Sequence, residues 1–338
     1  MNFAQVWSWL LWALVLSCGF PRLFGGQQAP ANQPASEASS HETHIQMHRV
    51  NLHIDDQAVL NVKELNGKLV PLKPGEPPGI GEKYTFAIAI ESADIVVTAQ
   101  NLTLLLNRYA FADAKSPVRN VQISIDGRQM KQKGVLHKGL DVPFEMLGTV
   151  SVTPEGKIRL HPSKFKVGHL PVKGLLDFFG VETDDLVNGK HMHGATVDHE
   201  DLILDPAKLV PAPEIRGKLT SVNILSDGLE EIYGSPGARA PAARGNYITY
   251  RGGTIRFGKL IMINADLKLI DTNPRDAFDF NLDHYLEQLV AGYTKTTPAW
   301  GLEVFMPDYY QLQKAKAQPR PAASGTKAQP TAEAGAKH

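Results

Sequence analysis

The residues most suggestive of chemistry are two histidines in the segment NGKHMHGATVDHED, positions 188–201. His191 and His193 are two residues apart, so on a strand both side chains would point to the same face. Several zinc sites take two of their ligands from such histidines. A cupin-like site needs a carboxylate a few residues further on, whereas Glu200 comes seven residues after His193. We therefore expect the pair to lie on the wet face of a strand without a metal, and a metal-dependent hydrolase is the least favoured interpretation.

Two further groups of potential metal ligands have unsuitable positions or spacing. The first group consists of His41, His44 and His48, which lie beside a segment with the composition of a flexible tether. The second group consists of Asp276, Asp279 and Asp283, whose spacing does not follow the alternate-residue pattern of calcium-binding loops. Neither group predicts a metal site.

Sequence signatures of catalysis are absent. The chain has no G-x-S-x-G nucleophile elbow, and no glycine-rich phosphate loop follows a predicted strand. Its single cysteine, Cys18, lies in the N-terminal apolar segment. The chain has 35 basic residues (Lys and Arg) and 35 acidic residues (Asp and Glu). Its net charge is therefore zero and does not favour a nucleic acid as partner. The sequence predicts a protein that is not an enzyme and needs no cofactor.

The N-terminus carries an apolar run typical of an export signal. The 14 residues at 7–20 contain no charge; a membrane span needs about 20 residues, whereas a signal-peptide core is shorter. Residues 1–26 are therefore expected to be a signal peptide or lipoprotein signal, which directs the protein to the periplasm or cell envelope. The sequence VLSC at 15–18 resembles a lipobox and would lead to acylation of Cys18. Cleavage after Ala31 and an uncleaved anchor are the alternatives.

Composition divides the rest of the chain into a tether, a body and a tail. Residues 27–43 are rich in Gln, Ala, Pro and Ser, and residues 313–338 in Ala, Pro and Lys. Both segments are expected to be disordered, because they contain too little apolar surface to form a core. Between them we expect a curved β-sheet domain at 44–234 and a β-rich C-terminal extension at 235–312 that ends in a helix.

Alternating apolar and polar residues dominate the body, as in antiparallel strands with one buried face. The predicted hairpin turns are Asn66-Gly67, Asp126-Gly127, residues 154–156 and Asp227-Gly228. Near the C-terminus, residues 247–271 are predicted to form three or four short strands, with Gly252-Gly253 as a turn. Helices are few: Thr98 should cap one over 98–107, and Asp283 one over 283–292. The predicted fold class is mostly β (α+β), a strongly curved antiparallel sheet wrapped on a few short helices.

One short segment breaks this alternation. Residues 168–180, GHLPVKGLLDFFG, predict a short apolar helix that begins near Pro171. Its apolar side chains are Leu170, Val172, Leu175, Leu176, Phe178 and Phe179. Such a helix can fill an ordinary core, or it can lie along the concave face of a curved sheet and line an apolar groove.

The order of these features resembles the tubular lipid-binding (TULIP) superfamily, as found in exported bacterial proteins. The similarity covers residues 84–234. Its motifs are an early helix at 97–107, a hairpin at 120–139, a second hairpin within 148–180 and a closing hairpin at 219–234. The second hairpin continues through a basic strand and an apolar-Pro pair into the apolar helix. Residues 250–271 are also similar to strands of AsmA-like lipid-transfer proteins.

This resemblance implies a non-catalytic protein that binds or transfers a lipid or another hydrophobic ligand close to a membrane. The lining of its groove would combine the six apolar residues of 168–180 with four inward strand residues, Ile123, Ile125, Val150 and Val152. The resemblance names no protein partner. A non-catalytic structural or interaction module of the envelope, built on the same sheet with a filled core, is the alternative.

Overall fold

The computed structural model describes residues 42–138, 140–168, 170–171, 191–235 and 245–317. This part of the chain is mostly β, with a strongly curved antiparallel sheet and few short helices, so the predicted fold class is confirmed. In chain order the strands are β1 (Thr43–His53), β2 (Val59–Pro71), β3 (Gly79–Ile80), β4 (Phe86–Thr98), β5 (Val118–Asp126), β6 (Gln129–Lys138), β7 (Leu140–Val152), β8 (Ile158–Val167), β9 (Leu170–Pro171), β10 (Ala195–Asp198), β11 (Asp201–Leu204), β12 (Glu214–Arg216), β13 (Leu219–Ile224), β14 (Gly228–Tyr233), β15 (Tyr247–Phe257), β16 (Leu260–Asp271), β17 (Phe278–Asn281), β18 (Tyr293–Thr296) and β19 (Leu302–Met306).

The strands form two sheets. The first contains twelve strands in the order β13-β14-β4-β2-β1-β15-β16-β19-β18, with β12 beside β4, β17 beside β1 and β3 beside β15. The second contains seven strands in the order β10-β11-β8-β7-β6-β5, with β9 beside β8. Because β1 pairs with β15, the segments 44–234 and 235–312 contribute strands to the same sheet.

The strands of the first sheet bend strongly along their length. Strand β2 spans 13 residues, or roughly 43 Å if it were straight. One of its ends lies opposite His53, and just beyond the other end the Leu72 N–H donates to the Thr85 carbonyl. Yet the ammonium of Lys83, two residues before Thr85, donates to the carbonyl of Ile54 at 3.0 Å. The two ends of the strand therefore lie much closer together than the roughly 43 Å of a straight strand, which requires strong curvature.

Glycines permit this bending, and they explain one wrong turn prediction. Asn66-Gly67, expected to form a hairpin, lies inside β2, where the pairing with β4 shifts by one residue. A Cβ on Gly67 would overlap the carbonyl oxygen of Ala89. The glycine thus allows two backbones to approach at a bulge, and bulges bend strands. The other three predicted turns, at 126–127, 154–156 and 227–228, do connect paired strands.

The C-terminal strands are longer than predicted. Instead of three or four short strands, residues 247–271 form β15 and β16, joined by the two-residue turn Gly258-Lys259. Gly252 and Gly253 are not a turn but lie inside β15 with φ of 76° and 52°, and Asn264 lies inside β16 with φ of 51°. These left-handed residues kink the strands without ending them.

In the described part of the chain, four short helices accompany the sheets: α1 (Ala99–Leu105), which continues as one π-helical turn (Leu106–Ala110), α2 (Pro206–Leu209), α3 (Tyr285–Ala291) and α4 (Tyr309–Ala317). Thr98 caps α1 as predicted, because its Oγ1 accepts the N–H of Asn101. The predicted Asp283 cap of α3 is wrong. The Asn281 side chain accepts the N–H groups of Asp283 and His284, while the Asp283 carboxylate pairs with Lys83.

One hydrophobic core extends through both sheets and α1. Its members include Leu60 and Val97 from the first sheet, Leu102 from α1, and Ile158 and Leu204 from the second sheet. The sheets thus meet around α1, and the candidate site lies in this region.

Candidate functional site

The four strand residues predicted to line a groove lie on the inner, core-facing side of the second sheet. Ile123 is buried in the core, while Ile125, Val150 and Val152 are partly buried and pack against it. Leu170 belongs to the short strand β9 beside β8. The remaining predicted residues lie outside the described part of the chain: Val172, Leu175, Leu176, Phe178, Phe179 and Cys18.

A small apolar cavity of about 30 Å³ lies where the two sheets meet. Sequence reasoning did not find it, because its lining comes from segments far apart in the chain. The lining residues are Leu60, Ile95, Val97, Leu102, Leu105, Ile158, Leu204, Pro206, Leu209, Val210, Ile215, Glu231 and Tyr233. Among these described residues, only Glu231 and Tyr233 bring polar side chains to the cavity, which has room for little more than water.

Glu231 is a carboxyl buried among apolar side chains. Strand β14 points Leu229, Glu231 and Tyr233 to the core in alternation, so the acid occupies an inward position. Its exposed fraction is 6%, and that of Tyr233 is 5%. The Tyr233 hydroxyl donates to Glu231 Oε2 at 2.8 Å. Burial raises the pKa of Glu231 to about 7, although the hydrogen bond from Tyr233 acts in the opposite direction.

A polar cleft of about 460 Å³ lies on the other side of α2. Pro206 and Leu209 contact the apolar cavity, whereas Asp205 and Lys208 line the polar cleft. Helix α2 is therefore a wall shared by the two spaces. The helix has four residues, and no side chain caps its N-terminus, so few of its own hydrogen bonds hold it in place.

The histidines singled out in the sequence line this polar cleft, but not on a strand as predicted. Residues 191–194 form a turn before β10, in which Gly194 has a φ of 72°. The His193 N–H donates to the carbonyl of Ala110 at 2.8 Å, which ties the turn to the π-helical turn after α1. His191 Nδ1 lies 3.0 Å from Asp113 Oδ2. Tertiary contacts thus hold the segment in a turn.

The remaining side chains of the cleft are charged or carry hydroxyl groups. Lys157 and Lys208 provide positive charge, and Lys208 Nζ lies 3.9 Å from Asp205 Oδ2. The hydroxyl groups at the cleft belong to Tyr109 and Thr196. Burial and the hydrogen bond that it donates to Asp55 raise the pKa of Tyr109 to about 12, so its phenolate is scarce at neutral pH. The cleft can bind a polar or charged group of a ligand.

The structure shows what the other candidate metal ligands contact. Among the described residues, no group of three or more His, Cys, Asp or Glu side chains is arranged to hold a metal ion. His48 Nδ1 lies 2.6 Å from the carbonyl oxygen of Gly245, and His44 is exposed on the same strand; His41 lies outside the described residues. Asp279 pairs with His53 and Asp283 with Lys83, so these two acids face different partners.

Comparison with known proteins leaves the site geometry as the basis for a functional inference. No family model, curated protein or solved structure matches the chain. The resemblance to the TULIP superfamily therefore stays a prediction. Over the part of the chain that the structure describes, no helix is long and apolar enough to cross a membrane.

Proposed function

We propose that this protein is a non-catalytic binding protein for a lipid or a similar amphiphile in the cell envelope. The observation that carries the proposal is the Glu231–Tyr233 pair at an otherwise apolar cavity. Burying an acid without a cation costs several kcal/mol, so a core built for stability alone would not contain it. Sites for hydrophobic ligands, in contrast, combine apolar walls with a few polar groups.

Helix α2 provides the route by which a ligand would enter. Its displacement would join the apolar cavity to the polar cleft of about 460 Å³, a volume in the usual range of ligand sites. The apolar part of the ligand would then insert between the core and α2, where Pro206 and Leu209 would stay in contact with it. Its polar part would stay in the cleft, near Lys157 and Lys208.

Binding without catalysis agrees with the chemistry of the cleft. Of the two histidines at the cleft, His191 pairs with Asp113, and no serine or cysteine is among the cleft residues described. Export is part of the same proposal and depends on the apolar run at 7–20. Acylation of Cys18 would keep the protein at one membrane.

The small volume of the cavity favours a second candidate, the envelope module with a filled core. At about 30 Å³ the cavity cannot hold an acyl chain unless α2 moves. The two candidates differ in one measurable property: the carrier binds lipid with a fixed stoichiometry per protein molecule, and the module with a filled core does not.

A binding titration with a fluorescent fatty-acid analogue tests the proposal. We expect saturable binding by the wild type and at least about ten-fold weaker binding by Leu209→Asp, because the new carboxylate would face the apolar cavity. Leu286→Asp is the matched control, since Leu286 is 51% exposed on α3. Circular dichroism verifies that each variant is folded. Equal binding by folded Leu209→Asp and Leu286→Asp, or none by the wild type, would overturn the proposal.

A further inference from the structure

Four large apolar side chains are exposed along one edge of the first sheet, where soluble proteins seldom place several together. They are Leu260, Ile261 and Ile263 at the start of β16, and Trp300 in the turn between β18 and β19. Their exposed fractions are 49%, 59%, 82% and 89%. We call this set the apolar edge.

The edge is built from two neighbouring turns. Gly258-Lys259 closes the hairpin between β15 and β16, and residues 260–264 of β16 follow it directly. Strand β19 begins to pair with β16 only at Leu267. Before that point, the β18–β19 turn lies beside β16, because a Cβ on Gly301 would overlap the Asp266 carboxylate. Trp300 therefore sits next to the open part of β16.

Both faces of the hairpin contribute apolar atoms. Ile255 and Phe257 of β15 are buried on the core side. Leu260 pairs with Phe257, and Ile261 pairs with Arg256, so consecutive residues of β16 point to opposite sides of the ribbon. The exposed apolar side chains thus lie on both faces of the hairpin tip.

The charged residues at the tip of the hairpin are basic, whereas Asp266, beside Gly301, pairs with Arg251. Between Gly252 and Ala265 the charged residues are Arg256 and Lys259. Arg256 pairs with Glu82, while Lys259 stands exposed at the tip. A cation beside aliphatic and tryptophan side chains is typical of surfaces that bind the interface of an anionic membrane.

We propose that the apolar edge docks this protein on the surface of an anionic lipid bilayer. The side chains of Leu260, Ile261, Ile263 and Trp300 enter the boundary between headgroups and acyl chains. The edge of β16 that β19 leaves open, before Leu267, stays among hydrated headgroups, where its N–H and C=O groups find partners. This docking surface is separate from the ligand site at α2, and it needs no ligand in the cavity.

A bilayer fits this surface better than a second protein does. A protein partner would pack such a tip into a complementary pocket, and tight interfaces depend on such pockets. The backbone of β16 could instead add a strand from a second copy of the chain. Lys259 at the tip and the kink at Asn264 oppose that pairing, because charge and irregularity are devices that protect sheet edges. Self-association is therefore an outcome of the test that would overturn the proposal.

A fluorophore attached at single positions of the full chain tests the docking directly. Cys18→Ser removes the native thiol, and Ile263→Cys carries an environment-sensitive dye. The matched control is the dye at Leu140→Cys, because Leu140 is 76% exposed on the second sheet. Vesicles contain either phosphatidylcholine alone or phosphatidylcholine with phosphatidylglycerol. We expect a blue shift at position 263 but not at 140, larger with phosphatidylglycerol and reduced by 1 M salt.

Variants without the dye give a second readout. Ile261→Ser with Ile263→Ser should weaken vesicle co-sedimentation by about ten-fold or more relative to Leu140→Ser, because two large apolar side chains no longer leave water. No blue shift at position 263 with either vesicle, or the same shift at 140, would overturn the proposal. A shift that appears without vesicles and grows with protein concentration would assign the edge to self-association. Ligand binding, measured separately with the fatty-acid analogue, should stay unchanged in these variants.

Discussion

The hydroxyl of Tyr233 donates a hydrogen bond of 2.8 Å to Oε2 of Glu231, and both side chains lie at an apolar cavity between the two sheets. Two residues apart on β14, they point to the same side of the strand. The pair supplies the only polar side chains among the cavity residues described, and it makes the stability of the protein depend on pH.

The folded protein should lose stability as the pH rises from about 4.5 to about 7. Burial raises the pKa of Glu231 from the ordinary 4.5 to about 7, so the folded state binds the proton more tightly than the unfolded state. The stabilisation is complete below pH 4.5 and is lost by about pH 7; at 1.36 kcal/mol per pKa unit it amounts to about 3 kcal/mol. Urea unfolding at pH 4.5, 5.5, 6.5 and 7.5 measures it.

Glu231→Gln is the matched control for this pH dependence, since the amide keeps the shape of a protonated acid. Asp308, whose pKa burial raises to about 6, acts in the same direction at lower pH. The test therefore compares the free energy of unfolding of wild type and Glu231→Gln at each pH, rather than relying on the wild-type pH dependence alone. We expect a shallower loss in the variant and a higher stability than wild type at pH 7.5. Parallel curves would contradict the account.

Tyr233→Phe should destabilise the folded state by about 1–3 kcal/mol, because it removes the hydroxyl that satisfies a buried carboxyl oxygen. The hydrogen bond from Tyr233 lowers the pKa of Glu231, so its loss should also move the pH midpoint of the stability change upward. Unfolding curves at several pH values give both results. Tyr310→Phe, at a 67% exposed position, is the control and should change neither.

Replacing His191 and His193 together by alanine should leave the fold and the ligand content intact, because Lys157 and Lys208, not the histidines, provide the charge for the polar part of the ligand. The polar contact of His191 is with Asp113, which is partly exposed, and the turn is held by the backbone of His193, which alanine retains. Elemental analysis and the fatty-acid titration check the result. A stoichiometric metal in the wild type that the variant lacks would point to the metal-dependent hydrolase instead.

Gly67→Ala should destabilise the protein more than Gly127→Ala does. A Cβ on Gly67 would overlap the Ala89 carbonyl at the bulge, which neighbouring backbone cannot easily relieve. At Gly127 a Cβ meets nothing within 4 Å, and the cost is the strain of a φ of 62°, about 1 kcal/mol. Urea unfolding of both variants decides, and a smaller effect at Gly67 would refute the role of the bulge.

The sequence predicted local features better than it predicted their assembly. Alternation identified the β class, and Thr98 and Asp126-Gly127 fulfil the predicted cap and turn. The same turn signal failed at Asn66-Gly67, because the glycine serves the contact with Ala89 on another strand. Such contacts depend on sheet pairing, which a single sequence does not reveal.

The candidate site could be predicted only in part. His191 and His193 stand out by type and spacing, but their place beside Asp113 and Lys208 depends on residues distant in sequence. Glu231 had one local signal, an acid at the inward position between Leu229 and Tyr233. That signal becomes informative once the burial of the strand is known.

Native mass spectrometry of the protein, purified without detergent from the cells that produce it, tests the central claim most directly. The account predicts a fraction of wild-type protein that carries one non-covalent lipid-sized ligand. That fraction should fall sharply in Leu209→Asp and persist in Leu286→Asp. Wild-type protein with no bound ligand, or equal ligand content in folded Leu209→Asp and Leu286→Asp, would contradict the claim that the cavity beside α2 receives a lipid.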